Sequence, residues 1–341
     1  MEASLEVSFW LANAWAFLLA FAVFVYVVLD GFDLGLGILY PFFPQKRDRD
    51  LLMNTVAPVW DGNETWLVLG GGGLFAAFPV AYAIIMPALY APIIAMLLAL
   101  IFRGVAFEFR WRTKRWLRYW DLAFICGSVM AAFAQGVALG ALLQGIDVEG
   151  RAYGGGWFDW LSGFSVFTGL AVVAGYGLLG STWLMMKTDG EVHDRARHLA
   201  WRFAIVTMAF IVGVSLLTPF LSTDYFSRWL TVPGIYVSWL VPLAVTVVGV
   251  LFFRSMHVHR HEYRPFVLAL ALFFLCFVGL GVSMFPYIIP TEVTILEAAT
   301  PFYSQIFMFV GACVLIPVIL GYTAFAYWVF RGKVDPEAGY H

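Results

Sequence analysis

Long apolar runs dominate this chain, and short polar or basic connections separate them. The runs cover residues 9–43, 51–78, 79–108, 121–143, 158–187, 198–220, 233–254, 265–289 and 303–330. A helix needs ~20 apolar residues to cross a ~30 Å hydrocarbon core. Barrel strands would alternate polar with apolar residues, and these runs do not. In lipid every backbone polar group must be satisfied internally, which continuous helices achieve. The pattern predicts an all-α integral membrane protein with nine transmembrane helices, forming a single polytopic domain over residues 1–341. The first two runs are longer than a crossing needs; tilt, a break at Gly31 or protrusion beyond the bilayer would absorb the excess.

Composition agrees with that pattern. The chain is 62% hydrophobic and 12% charged, against about 25% charged in a soluble domain. Basic residues collect at alternate connections, near 44–50, 109–120, 188–197 and 255–264, and in the tail, with only Arg151 and Arg228 on the other side. By the positive-inside rule this puts the N-terminus outside and the C-terminus in the cytoplasm. The arginines and lysines thus serve topology, and the formal net charge of −2 gives no indication of nucleic acid. The first residues lack the positive segment of a cleavable signal. Cys126, Cys276 and Cys313 are isolated within spans and read as packing thiols. No Cys-x-x-Cys is present to attach haem covalently or act as a redox pair.

The segments Val27–Gly35 and Val172–Gly180 share a Val-Val start and similarly placed glycines. They suit a parallel repeat: spans 1–4 within 9–143, spans 5–8 within 158–289, and an extra span at 303–330, giving two four-helix bundles plus one helix.

Two polar clusters interrupt the apolar runs: Asp30-Gly31-Phe32-Asp33 in the first, and Asp61-Gly62-Asn63-Glu64 in the second. A carboxylate at mid-membrane costs about 2.5–3.5 kcal/mol on insertion scales, so these side chains are expected to face protein or water rather than lipid. Asp33 precedes Pro44, and Asp61 follows Asp50, by the same number of residues. At 1.5 Å per residue both lie roughly 16 Å from the connecting loop. Asp30 and Asp33 share a helix face, as do Asp61 and Glu64. If those faces meet, four carboxylates occupy one region and cannot all be ionised. Arg103 on the third span is the cation placed to compensate one of them, and Glu108 follows it toward the cytoplasm. Two interpretations fit: a proton route from the cytoplasm to mid-membrane, or a structural cluster that pins helices and repairs the backbone around Pro58 and Gly62.

Gly70–Gly73 lacks the Lys-Ser/Thr of a phosphate loop and reads as close helix packing. Gly136, Gly140 and Gly145 read the same way, with Gln135 and Gln144 bonding across helices. His193, His198, His257, His259, His261 and His341 all lie in connections, helix ends or the tail, so none offers an axial ligand for a mid-membrane haem. No metal site is expected. Trp111, Trp116, Tyr119 and Trp120, with Trp157 and Trp160 at the other boundary, form interfacial belts. Trp60 and Trp66 instead flank the buried carboxylates, where they either pack or line an apolar path for a small gas or a quinone tail.

The segments Asp30–Gly35, Ala57–Leu67 and Phe102–Arg110 resemble subunit II of cytochrome bd-type quinol oxidases. Gln135–Gly140 and Met284–Pro290 extend the resemblance over essentially the whole chain, and the wording is most similar to the cyanide-insensitive branch. The resemblance implies an inner-membrane subunit of a bacterial complex that oxidises quinol and reduces O2 to water with protons from the cytoplasm. It implies a haem-bearing subunit I as partner, carrying haems b558, b595 and d, and no haem on this chain. It allows a quinone in this subunit and a small accessory single-helix subunit beside it. By motif position Asp61 matches an acidic residue of a proton route and Trp66 a residue near an oxygen path. The resemblance thus names Asp61, Asp33, Glu64, Asp30, Glu108 and Arg103 as proton-path or supporting groups, and Trp66 and Trp60 as oxygen-path or quinone contacts. Two other interpretations remain open on the residues alone: a stand-alone proton-coupled transporter, and a scaffold for the haem subunit.

Overall fold

The computed structural model describes residues 2–113, 115–257 and 262–335, with side chains from residue 6. Lys114, His259, Arg260, His261 and His341 lie outside the described residues. The fold is helical, with two two-stranded hairpins at loops. Helix α1 (Glu2–Leu39) runs unbroken through Gly31 and ends in one 3-10 turn at Tyr40–Phe42. The expected second span is not one rod. It divides into α2 (Lys46–Asn54) and α3 (Trp60–Ala77), joined by turns at 55–59. Pro58 lies in that junction and has no amide to donate. The third span likewise divides into α4 (Pro79–Ala88) and α5 (Tyr90–Arg112) at Leu89, between Pro87 and Pro92. Helix α6 (Leu117–Gln144) leads through the hairpin β1 (Val148–Glu149) and β2 (Ala152–Tyr153) to α7 (Gly163–Lys187). Then come α8 (Gly190–Leu217), α9 (Thr223–Leu230), α10 (Ile235–Ser238), α11 (Leu240–Met256) and α12 (Arg264–Met284). A second hairpin, β3 (Tyr287–Ile289) and β4 (Val293–Thr294), and the short α13 (Ile295–Ala298) precede α14 (Phe302–Val329).

Eight helices among the described residues are long and apolar enough to cross a membrane. The remaining expected span, α3, has the length but carries Asp61, Asn63 and Glu64 in its first turns. These polar residues lower its mean hydropathy.

Helices α1, α6 and α7 form the centre. Helix α1 packs on α3, α6 and α7; α6 packs on α5 and α7; α7 packs on α8 and α12. Glycine sets the α1–α7 distance. A Cβ on Gly35 would lie 2.9 Å from Gly180 Cα, and one on Gly180 would lie 2.6 Å from the Gly35 carbonyl carbon. These glycines belong to the two similar segments, so the shared motif is the point where the helices touch. Gly136 and Gly140 do the same between α6 and α7: a Cβ there would lie 2.6 Å from Gly169 Cα and 2.7 Å from Ser165 Cα respectively. Gly145 has a different task, ending α6 at φ 96°. The run Gly70–Gly73 is only half used within the chain. Gly70 and Gly73 face Val23 and Leu19 of α1, whereas Gly71 and Gly72 meet nothing within 4 Å.

The basic connections converge on one end of the bundle. Arg195 bonds the Phe42 carbonyl, Arg197 the Met256 carbonyl and Lys187 the Phe330 carbonyl. Lys333 pairs with Asp189 and Glu262, and those two hydrogen bonds hold its ammonium above the usual lysine range. At the opposite end Thr294 and Glu297 form a capping box on α13. The Thr294 amide there holds the Glu297 carboxyl below its ordinary range. Helix α14 is peripheral: Gln305 is its one buried residue among those described.

Because overpacking a tight contact typically costs about 1–3 kcal/mol, Gly180→Val is expected to lower the thermal denaturation midpoint of the detergent-solubilised protein by several degrees. Gly281→Ala, where an added Cβ meets nothing within 4 Å, is expected to leave it unchanged.

Candidate functional site

The polar cluster inside the helix bundle is built around Arg103 of α5. Its side chain is 2% exposed, and three carboxylates surround it. Nη1 donates to Asp30 Oδ1 at 3.1 Å and to Glu64 Oε1 at 3.1 Å, while Nη2 lies 3.7 Å from Asp33 Oδ2. The i,i+3 spacing of Asp30 and Asp33 delivers both to the same guanidinium, as the sequence predicts. The reach of Arg103 exceeds that expectation, since it contacts three carboxylates rather than one.

Neutral polar groups extend the cluster. Asn63 Nδ2 donates to Asp33 Oδ2 at 2.7 Å, and Tyr327 of α14 donates its hydroxyl to Asn63 Oδ1 at 2.9 Å. On the other side the Tyr26 hydroxyl lies beside Asp30. Gln135 Nε2 donates to Tyr26 Oη at 2.9 Å, and Tyr176 Oη donates to Gln135 Oε1 at 2.5 Å. A polar chain therefore runs from α14 through α3, α1, α5 and α6 to α7. One guanidinium faces three carboxylates, so the cluster can hold protons as well as ion pairs.

Asp61 is not in it. Of the four carboxylates that could share one region, three reach Arg103; Asp61 lies on the exposed side of α3, with Gly62, Thr65 and Val68. Helical spacing explains the split. Positions 61, 65, 68 and 72 form one stripe, and Asn63, Trp66 and Gly70 lie on the opposite, buried side. Glu64 sits at the margin, reaching Arg103 while its side chain remains 31% exposed. Glu108 is half-buried on α5 and takes no ion-pair partner among the described residues. Trp66 is fully buried against Ala22 and Tyr26, edge-on to Phe21 at 6.0 Å. The Arg103 guanidinium lies 5.9 Å from the Trp60 ring centroid, and Trp60 also packs on Phe107.

A second ionic cluster lies at the basic end. Arg110 Nε donates to Asp121 Oδ1 and Nη1 to Asp50 Oδ1, both at 2.6 Å. Arg49 donates to Asp121 Oδ2 at 2.8 Å, and Tyr40 Oη lies 3.3 Å from Asp121 Oδ1. This cluster ties α1, α2, α5 and α6 together. Its signal in the sequence was weak, because Asp50 and Asp121 stand among many charged residues at span ends. Asn63 could have been found from its place inside the carboxylate motif. Tyr327 could not, being 264 residues away in an apolar helix.

Among the described residues, no group of three His, Cys, Asp or Glu side chains is arranged to hold a metal ion. His193 bonds the Met185 carbonyl, and His257 packs edge-on to Trp201 at the basic end.

A family model described as cytochrome bd terminal oxidase subunit II matches residues 11–330. The chain belongs to that family. It is 30% identical to cytochrome bd-I ubiquinol oxidase subunit 2 of Escherichia coli K12, the alignment covering 95% of each chain. It is 29% identical to cytochrome bd ubiquinol oxidase subunit 2 of Bacillus subtilis, over 95% of this chain and 97% of that one. The fold is similar to the structure of bd oxidase from Geobacillus thermodenitrificans, with a TM-score of 0.70 and 18% identity, over 94% of this chain and 98% of that chain. Membership makes this chain a multi-pass subunit of a quinol:oxygen oxidoreductase of the bacterial inner membrane, and it implies a partner subunit I that carries the haems. Divided helices and mid-membrane carboxylates are also features of transporters, and membership decides for the oxidase.

Removing one partner from a buried ionic cluster costs about 3–5 kcal/mol. Arg103→Leu is therefore expected to abolish assembly of the haem-bearing complex, read as loss of visible haem absorbance in purified membranes. Arg112→Gln, at an exposed position on the same helix, is expected to assemble normally.

Proposed function

We propose that this chain docks on the haem-bearing subunit through the exposed stripe of α3 and delivers cytoplasmic protons to that interface. The observation that carries the proposal is the placement of Asp61: an exposed carboxylate in a span, on a face whose Gly71 and Gly72 leave room for close approach. A carboxylate open to acyl tails is costly, and small residues favour helix contact in lipid. The uncovered α14 adds apolar surface of the kind a partner could cover.

In this proposal protons enter near the Arg110 cluster, pass Glu108 and reach Glu64 and Asp61 at the partner face. Arg103, Asp30 and Asp33 hold Glu64 in place and set the local charge. Glu108 lies between the two arginines on α5, five residues from Arg103 and two from Arg110, which supports an intermediate position. Trp66 and Trp60 wall the cluster with aromatic surface, compatible with an apolar path for O2 or a quinone tail. Haems b558, b595 and d, and an accessory single-helix subunit where one occurs, belong to the rest of the complex.

The same proposal takes α3 as a ninth crossing, with the N-terminus outside and the C-terminus cytoplasmic. Convergence of the basic connections on one end supports that orientation. Contacts among α1, α3, α5 and α6, and among α7, α8, α11 and α12, support two four-helix groups with α14 outside them. The facing Gly35 and Gly180 support a repeat.

Asp61→Asn and Asp61→Ala test the role. Both should retain haem absorbance and subunit stoichiometry while quinol-oxidase turnover falls about tenfold or more, the scale of a lost proton-transfer group. Unchanged turnover in both variants would overturn the proton role. Loss of haem in both would assign Asp61 to assembly instead.

A further inference from the structure

Outside the ionic clusters, the basic end of the bundle carries a cleft of about 390 Å³ lined by Phe42, Arg195, His198, Leu199 and Arg202. Arg195, His198 and Arg202 stand at i, i+3 and i+7 on α8, so they form one stripe along the helix. Arg195 is fixed at the mouth. It bonds the Phe42 carbonyl at 3.4 Å, pairs with Asp48 at 3.7 Å and lies 5.6 Å from the Phe43 ring centroid. Arg202 lies two turns further along α8, roughly 10 Å deeper, and is exposed. Glu191 and Asp194 precede it on the helix, but neither comes within ion-pair distance of Arg195, His198 or Arg202.

An exposed arginine about one turn inside the span at 198–220 either snorkels to the boundary or meets an anion. Snorkelling carries the Arg202 guanidinium back toward Arg195, so a phosphate there would meet Arg202 together with an Arg195 that also pairs with Asp48. The cleft walls suit what would be attached to that phosphate. Leu199 is buried at its floor, and the exposed Phe42 borders an apolar surface of α8 on which Ile205 and Val206 are exposed. A soluble anion has no use for such walls; a phosphodiester with acyl chains fills them.

We propose that this cleft binds one anionic phospholipid of the adjoining leaflet, with Arg195 and Arg202 at the phosphate, His198 at its edge, and acyl chains along Phe42 and the outer face of α8. Basic recesses between spans are sites of this kind. The inference is independent of the proton proposal, since no residue is shared.

The test is native mass spectrometry of the purified complex titrated with phosphatidylglycerol, phosphatidylcholine of the same chain length, or inorganic phosphate. The expected result is one phosphatidylglycerol retained preferentially over phosphatidylcholine. Affinity should fall about thirtyfold in Arg195→Gln/Arg202→Gln, each basic group contributing about fivefold, and should be unchanged in Arg112→Gln. Arg202→Gln alone removes no bond to any described residue, and its affinity should fall about fivefold with haem absorbance intact. That variant separates binding from folding. Equal retention of both lipids, or equal affinity in Arg202→Gln and Arg112→Gln, overturns the proposal. Complete displacement of phosphatidylglycerol by millimolar inorganic phosphate would also overturn it, by making this a site for a soluble anion.

Discussion

A single guanidinium buried among three carboxylates organises this protein. In hydrocarbon there is little hydrophobic drive between helices, because acyl tails are as apolar as leucine. Specific association must come from close packing and polar contacts. Arg103 supplies the second on behalf of three helices at once: α5 carries it, α1 contributes Asp30 and Asp33, and α3 contributes Glu64. Each of those charges would be prohibitive alone at that depth. Together they fix the rotation of α1 and α3, since turning either helix away would take Asp30, Asp33 or Glu64 off the guanidinium.

Packing supplies the first contribution, and it is arranged around the same helix. The glycine contact between α1 and α7 lies at Gly35, two residues beyond Asp33, and the contacts of Gly136 and Gly140 bring α6 onto α7 close to Gln135. Close backbone approach is what allows Tyr26, Gln135 and Tyr176 to join across three helices. The Arg110 cluster repeats the device at the far end of α5, where its members Asp50 and Arg49 remain partly exposed.

Hydropathy made the spans legible, and the i,i+3 carboxylates made the Arg103 cluster legible, because both depend on local spacing. Three features were not legible, for separate reasons. The divisions of the second and third spans follow from Pro58, Pro87 and Pro92, yet proline within lipid often only bends a helix, so the outcome depends on neighbours. The separation of Asp61 from Glu64 depends on which arc of α3 meets α1, and a one-residue change in rotation would have exchanged them. Tyr327 joins the cluster from the far end of the chain, and nothing local distinguishes it from the other aromatic residues of α14.

That last contact bears on biogenesis. Asn63 finds one of its hydrogen-bond partners only when the final helix has entered the bilayer. Through most of translation, the polar core is closed on the side of α1 and α5 and open on the side that α14 will occupy. Before α14 docks, Asn63 keeps its bond to Asp33 but its Oδ1 lacks the one that Tyr327 donates, so closure of the polar core waits on the last described helix.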